Sequence, residues 1–330
     1  MKQLKRFKYK LFKGIILLIF ILMFFFPYAS YQGASSGLLL WFINVLPTLL
    51  PFIILSNLMI RLNIAEQVSR FMHPVFGRLF RISPGACYPI LIGFLSGIPM
   101  GAKSSADLVS EGRISHREGG FLLNMCNNAS PIFIMNYIAL NQLKLAQIRL
   151  PLFVIIYSSS IISALIYRGL IKWRGITSTK TDLKLSQDIP QTKYKSVRFS
   201  IDIMDNSIMN GFEVVTKIGG YIILFSILAQ IVSEIGPGSS VLKATFMGFL
   251  EITTGINQIC KINVDQNIKI VLAAVLTSFG GLSGIAQTKS VLGDSRLSIN
   301  SYFIVKLLGV FVTFLLTVLY ITIIGINRYH

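Results

Sequence analysis

The chain is short of acidic residues. Thirteen Asp and Glu stand against 31 Lys and Arg, a formal net charge of +18 over 330 residues. Charged residues of both signs make up 13% of the chain, whereas a soluble domain carries about 25%. Histidine is scarce too, and His73, His116 and His330 share no metal-ligand spacing. The three cysteines, Cys87, Cys126 and Cys260, cannot all pair and form no Cys-x-x-Cys. They lie in or beside apolar stretches, as small apolar fillers do, so neither a disulfide framework nor a metal site is expected. No Walker loop, Gly-x-Ser-x-Gly elbow or His-Glu-x-x-His is present. The expectation is a protein that is not an enzyme and uses no cofactor.

What the chain has is apolar length. It is 53% hydrophobic, with a mean hydropathy of +0.67. A spanning helix needs about 20 apolar residues, and several runs supply them. A charge of +18 would also suit a nucleic-acid binder. Here, however, the basic residues gather in short loops between apolar runs, which is the positive-inside pattern. The expected partner is the lipid bilayer, not nucleic acid.

The spacing of apolar runs and basic loops predicts an all-α, polytopic integral membrane protein. About six helices span fully and two re-entrant hairpins dip in. Residues 1–36 are read as an N-terminal membrane helix. Residues 37–167 form a first repeat, with a hairpin at 83–101 and a broken helix at 119–140. A basic cytoplasmic linker covers 168–210. A second repeat, 211–330, has its hairpin at 266–287. The first repeat starts outside and the second inside, so the two are antiparallel, an inverted-topology repeat. Both termini and the linker are expected in the cytoplasm, and Ser233–Ser240 outside. Val68–Leu79 places Phe71, Met72, Val75, Phe76 and Leu79 at helical spacing and is expected to lie in the membrane interface.

One segment occurs twice. Phe94-Leu95-Ser96-Gly97-Ile98-Pro99-Met100-Gly101-Ala102-Lys103-Ser104 has an echo in Gly281-Leu282-Ser283-Gly284-Ile285-Ala286-Gln287-Thr288-Lys289-Ser290. Paired Gly-interrupted segments in two halves point to a transporter's binding site. Hydroxyls and free N–H groups of Ser96, Gly97, Gly101, Ser283, Gly284 and Gln287 suit a polar or anionic solute. The plain alternative is that these glycines only permit close backbone approach. Lys103 and Lys289 follow the tips and either snorkel to the interface or add positive potential. Lys306, near the start of the last span, is expected to snorkel. Asn124, Asn127, Asn128 and Ser130, with Pro131, interrupt an apolar helix as a second candidate group; amides bonding between helices are the bland reading. Glu251, Thr253, Thr254 and Asn257 form a polar island that would suit a coupling ion, H+ or Na+. An interfacial ion pair is the equal alternative there.

Ser96-Gly97-Ile98-Pro99-Met100-Gly101-Ala102-Lys103, Gly112-Arg113-Ile114-Ser115 and Asn127-Asn128-Ala129-Ser130-Pro131 together resemble the nucleoside-recognition (Gate) domain family. The nearest branch is that of the sporulation integral membrane protein YlbJ, also called SpoVV. Lys217-Ile218-Gly219-Gly220-Tyr221 and Leu250-Glu251-Ile252-Thr253-Thr254-Gly255 look like that branch as well. The resemblance covers roughly residues 37–324. It implies a sporulation membrane transporter, with dipicolinate as the solute and the outer forespore membrane as the location. The family's name makes a nucleoside the competing solute. A non-transporting scaffold for envelope assembly is the reading from another class. A homo-oligomer remains open.

Overall fold

In the computed structural model, which describes residues 2–173, 200–235 and 238–324, the regular elements are helices. The bulk of the linker therefore lies outside the described residues, as do Gly236 and Pro237 of the expected external turn. Helix α1 covers Lys2–Phe25, α2 Pro27–Leu40 and α3 Leu46–Arg61. A π-helical segment, Trp41–Val45, joins the last two. Pro47 has no N–H to give to Ile43, and Leu46 N donates instead to Trp41 O, five residues back.

Helix α9, Ile201–Ile235, runs antiparallel along the whole α2–α3 stretch. Its 35 residues reach about 52 Å, more than a bilayer's hydrocarbon core. Small residues set the spacing. A Cβ on Gly33 would lie 2.6 Å from Ile227 Cα, and one on Gly219 would lie 2.6 Å from the Trp41 indole nitrogen. Trp41 Nε1 donates to Val215 O at 2.9 Å. Further along, Asn57 Nδ2 donates to Asn210 Oδ1 at 2.9 Å. The contacts run in antiparallel register, residue 33 beside 227 and residue 57 beside 210.

Helix α4, Ile64–Phe80, turns 92° from α3. Asn63 makes that turn in the left-handed region at φ 59°. Phe71, Val75 and Leu79, four residues apart, are exposed, while Ala65, Ser69 and Gly77 face the protein. An apolar stripe on a helix perpendicular to a span fits the interface expected for this stretch.

Helices α5 (Cys87–Ser96) and α6 (Met100–Ser110) form the first hairpin. Their limbs touch on glycines: a Cβ on Gly93 would lie 2.9 Å from Gly101 Cα. The base of the hairpin is pinned at an arginine-rich end. Ser115 and Glu118 make a capping box that starts α7, His116–Cys126, and Glu118 Oε1 also accepts from Ser83 N at 2.6 Å. Arg113 bridges Glu111 at 3.0 Å and donates to Asn63 Oδ1 at 2.8 Å. After α7 the chain breaks, then continues as a π-helix, Phe133–Gln142, to the opposite end. Helix α8, Arg149–Trp173, returns, and its Arg168 donates to Phe80 O beside the first hairpin.

The second hairpin is α10 (Ser240–Leu250) and α11 (Ile252–Lys261), with Glu251 at its tip. A Cβ on Gly255 would lie 2.0 Å from Gly248 Cα, so this pair of limbs crosses on glycines too. Its base lies beyond the C-terminus of α9, at the end opposite the first hairpin's base. Helices α12 (Gln266–Phe279) and α13 (Gly281–Val291) follow, then α14 (Ile299–Ile324). Thr313 on α14 donates to Ser159 on α8 at 2.7 Å, and Tyr320 packs on the cluster holding Ile148 and Leu152.

The fold has the expected class but redraws the second half. Residues 266–287 are not a hairpin. Helices α12 and α13 do not pack along each other. Gln266 bonds Leu143 O at one end, and Arg296 O meets His116 at the other. Gly280 and Gly281, both at positive φ, kink the chain without reversing it. The fold-back comes at Glu251 instead, so residues 94–104 and 281–290 are not structural counterparts. One consequence reaches the C-terminus. Helix α14 runs away from the arginine-rich end, so its last turn and the linker-flanking end of α8 lie at opposite ends, not on one side. The N-terminal expectation changes too: α1 and α2 meet at 108° at Phe26. Among the described residues, four helices are long and apolar enough to cross a membrane alone: Ala146–Ile171, Ile201–Ile235, Gln266–Val291 and Ile299–Ile323. The bent pairs at Phe26 and at residues 62–63 bring the total to six.

Cysteine labelling checks this path. In a background without native cysteines, Ser239→Cys should react with an impermeant reagent in intact cells. Ser298→Cys should react only after permeabilisation, as the positive-inside rule expects of the end that carries Arg61, Arg70, Arg81 and Arg113. Labelling of both from one side would restore the hairpin at 266–287.

Candidate functional site

Four interruptions of helix meet at one place. The tip of the first hairpin brings Ser96 and Ile98, and the break after α7 brings Ala129 and Ser130. The second tip brings Glu251 and Thr253, and the kink between α12 and α13 brings Gly280, Gly284 and Gln287. Together they line a cavity of about 270 Å³. Irregular backbone at membrane depth is tolerated only where protein buries it or where it lines such a cavity.

A new helix begins at each interruption: α6, the π-helix, α11 and α13. Helix starts carry unpaired N–H groups and the positive end of the dipole. Two of these starts are capped by side chains. Ser130 Oγ accepts from Phe133 N at 3.3 Å, and Glu251 Oε2 accepts from Thr254 N at 2.8 Å. Glu251 is 2% exposed and also accepts from the Thr253 and Thr254 hydroxyls. Helix α13 has no side-chain cap, whereas at the start of α6 Met100 N donates to Gly97 O and Ala102 N to the Asn127 side chain. Ser96 Oγ is buried without a hydrogen-bond partner among the described residues. The cavity thus offers donors and contains no basic side chain in its lining.

A larger chamber of about 690 Å³ adjoins it and shares Leu40, Ile43, Asn44, Tyr137 and Thr253. It extends past Thr254 and Asn257 to Tyr31, Gln32, Ser233 and Lys261. Those residues lie at the end opposite the arginine-rich one.

Asn127 ties the interruptions together. Its Oδ1 accepts from Ala102 N on α6 at 3.2 Å. Its Nδ2 donates to Thr288 Oγ1 on α13 at 2.8 Å and to Tyr302 Oη on α14 at 3.0 Å. Tyr302 Oη in turn donates to Asn127 O at 3.1 Å. On the other side, Tyr157 Oη on α8 meets both Phe94 O and Ala129 O. Asn127 is fully buried and sits behind the cavity wall, as a brace between the halves. Asn128 is its neighbour in kind: Nδ2 donates to Met125 O at 2.8 Å, and Oδ1 accepts from Lys306 Nζ at 3.1 Å. Asn124 is buried one turn earlier, outside the cavity lining, and its Oδ1 has no partner among the described residues.

The lysines part company. Lys306 does not snorkel. It is 4% exposed, and Nζ donates to Asn128 Oδ1 and, at 3.2 Å, to Ser278 O. Hydrogen bonds to a charged group are worth about 1.5–3 kcal/mol each and offset part of the cost of burying the amino group. Lys103 is buried and paired with Asp107 at 2.7 Å, and it donates to Asn57 Oδ1 at 3.2 Å. Lys289 is exposed. Neither lines the cavity.

The glycines also differ. Gly97 has φ +84°, and a Cβ there would lie 2.6 Å from Ser130 N. A Cβ on Gly101 would meet Cys126 O at 2.5 Å. Gly284 has room, its nearest neighbour being Ile98 Cδ1 at 3.7 Å. Ser283 is buried and accepts from Gln287 Nε2 at 2.9 Å.

Sequence reasoning missed Asn44, Asn136, Tyr137 and Asn141, which all line the cavity. Asn44 sits in the first π-helical segment and the other three in the second. In a π-helix residues five apart share a face, so Asn136 and Asn141 align where a period of 3.6 would separate them. The prolines Pro47 and Pro131 were the available signal.

This architecture defines a polytopic helical membrane protein whose interrupted helices enclose a mainly apolar cavity with a few polar groups in its lining. The chain is similar to the sporulation integral membrane protein YlbJ of Bacillus subtilis (strain 168). They are 25% identical over 311 residues, 86% of this chain and 75% of the relative. No family model and no solved structure matches the chain.

Three substitutions separate bracing positions from open ones. Gly97→Ala should lower thermal stability by the equivalent of about 1–3 kcal/mol, through strain at positive φ and the clash with Ser130. Gly284→Ala should stay within about 0.5 kcal/mol of the parent. Asn127→Ala should also destabilise, by about 1–3 kcal/mol, because it strands the buried Ala102 N and removes the side-chain bonds to Thr288 and Tyr302. Thermal unfolding in detergent reads all three, and equal loss at Gly97 and Gly284 would contradict the geometry.

Proposed function

We propose that the chain is a solute transporter built as an inverted repeat, acting in the membrane around a developing spore. The observation that carries this reading is the meeting of two hairpin tips, entering from opposite ends, with two broken spans around one cavity. Discontinuous helices that point their starts at a midplane cavity are the common binding device of secondary transporters. A scaffold would have no use for a buried, unpartnered hydroxyl beside an uncapped helix start.

The solute that fits best is a small aromatic dicarboxylate, dipicolinate being the instance implied by the family resemblance. The start of α13, which no side chain caps, supplies N–H groups for a carboxylate. Ser96 supplies a further donor. Glu251 stands against such an anion while it is charged. A proton taken up by Glu251 removes that repulsion, so movement of the anion is linked to movement of a proton. A nucleoside is the second reading, favoured by the amides of Asn44, Asn136, Asn141 and Gln287 in the same lining.

Uptake into proteoliposomes decides between them. Dipicolinate should enter, faster with a proton gradient in the same direction, and Glu251→Gln should remove the effect of the gradient. Ser96→Ala should weaken apparent affinity by about 1 kcal/mol, roughly fivefold. Uptake of uridine in place of dipicolinate would select the nucleoside reading, and uptake of neither would end the transport reading.

A further inference from the structure

Lys306 poses an electrostatic problem. A buried ammonium normally has an acid beside it. Among the described residues, no Asp or Glu oxygen lies within 4.0 Å of Lys306 Nζ. It meets two neutral oxygens, Asn128 Oδ1 and Ser278 O, and the Tyr302 ring, whose centroid is 5.4 Å away.

The two oxygens share an origin. Helix α7 ends at Cys126, and Asn128 lies just past it, held by its bond to Met125 O in the last turn. Helix α12 ends at Phe279, and Ser278 O belongs to its last turn. The two helices reach this point from opposite ends of the molecule, so two C-terminal helix ends face each other here. Each carries about half a negative charge from its unpaired carbonyls. Lys306 sits between them. In transporters with broken spans, unwound carbonyls and the C-terminal ends of half-helices are where a coupling cation is held.

We propose that Lys306 is a tethered cation: its ammonium fills the place between the two helix C-termini that a monovalent ion such as sodium would otherwise take. The positive charge is then covalently part of α14 and cannot be released. The two breaks stay apposed without sodium, and any ion coupling must use another group. This holds whether or not the cavity carries the solute proposed above, because it concerns the rear of the breaks and not the lining.

Thermal unfolding of the purified full chain in lipid nanodiscs tests it, with sodium chloride exchanged for choline chloride at constant ionic strength. The wild type should be indifferent to the exchange. Lys306→Met keeps the length, fills the space and removes the charge; its midpoint should fall by several degrees and stay indifferent. Lys306→Ala opens the space; its midpoint should fall in choline chloride and recover in part, saturably, with ammonium or sodium chloride. A purely structural side chain would give no such recovery. A saturable sodium-dependent rise in the wild type would overturn the proposal. So would a Lys306→Met protein as stable as the parent, or a Lys306→Ala protein deaf to all three cations. If neither variant folds, cation-specific folding has not been recovered and the proposal fails.

Discussion

A peptide group without a partner is costly in a bilayer, and this structure is arranged around that cost. Every helix end inside the hydrocarbon region leaves N–H or C=O groups that lipid cannot satisfy. Among the described residues, four such interruptions gather around one cavity. The starts turn to one side, where the cavity is. The ends of α7 and α12 turn to another, where Lys306 is. Asn127 lies between, and its carboxamide and carbonyl join three helices. The polar residues are few because each serves more than one element.

The scaffold around this centre depends on what side chains leave out. Gly33, Gly211 and Gly219 let α9 run close to α2 and α3. Gly93 with Gly101, and Gly248 with Gly255, let the hairpin limbs touch. Lipid gives helices no hydrophobic reason to associate, so close backbone approach and van der Waals contact carry much of the packing. The amide bonds at Trp41 and Asn57 then fix the register.

Much of the plan was legible in the chain. Low charge, apolar length and basic loops gave the class. The Asn127–Pro131 break and the first hairpin at residues 83–101 were visible as dense clusters of breakers. Glu251 stood out as an acid among apolar residues. The second hairpin was not legible as such, because Gly280-Gly281 and Gly255 are the same residue type doing different jobs. A glycine pair at positive φ kinks one span, whereas Gly255 lets α11 press on α10. Lys306 was misread for a related reason. Its acceptors, Asn128 and Ser278, are far away in sequence, and nothing local marks a lysine as buried. The π-helical faces were hidden by the assumption of a 3.6-residue period.

The cavity and the adjoining chamber lead one way, towards Tyr31, Ser233 and Lys261. The other way is crossed by charges: Lys103 with Asp107, then Arg113 with Glu66 and Glu111. A barrier of that kind is held by Coulomb attraction, which added salt screens. An apolar plug would be tightened by the same salt. Parting of those pairs at the arginine-rich end therefore carries an ionic-strength signature, and the two ends of the molecule are unlike in kind as well as in direction.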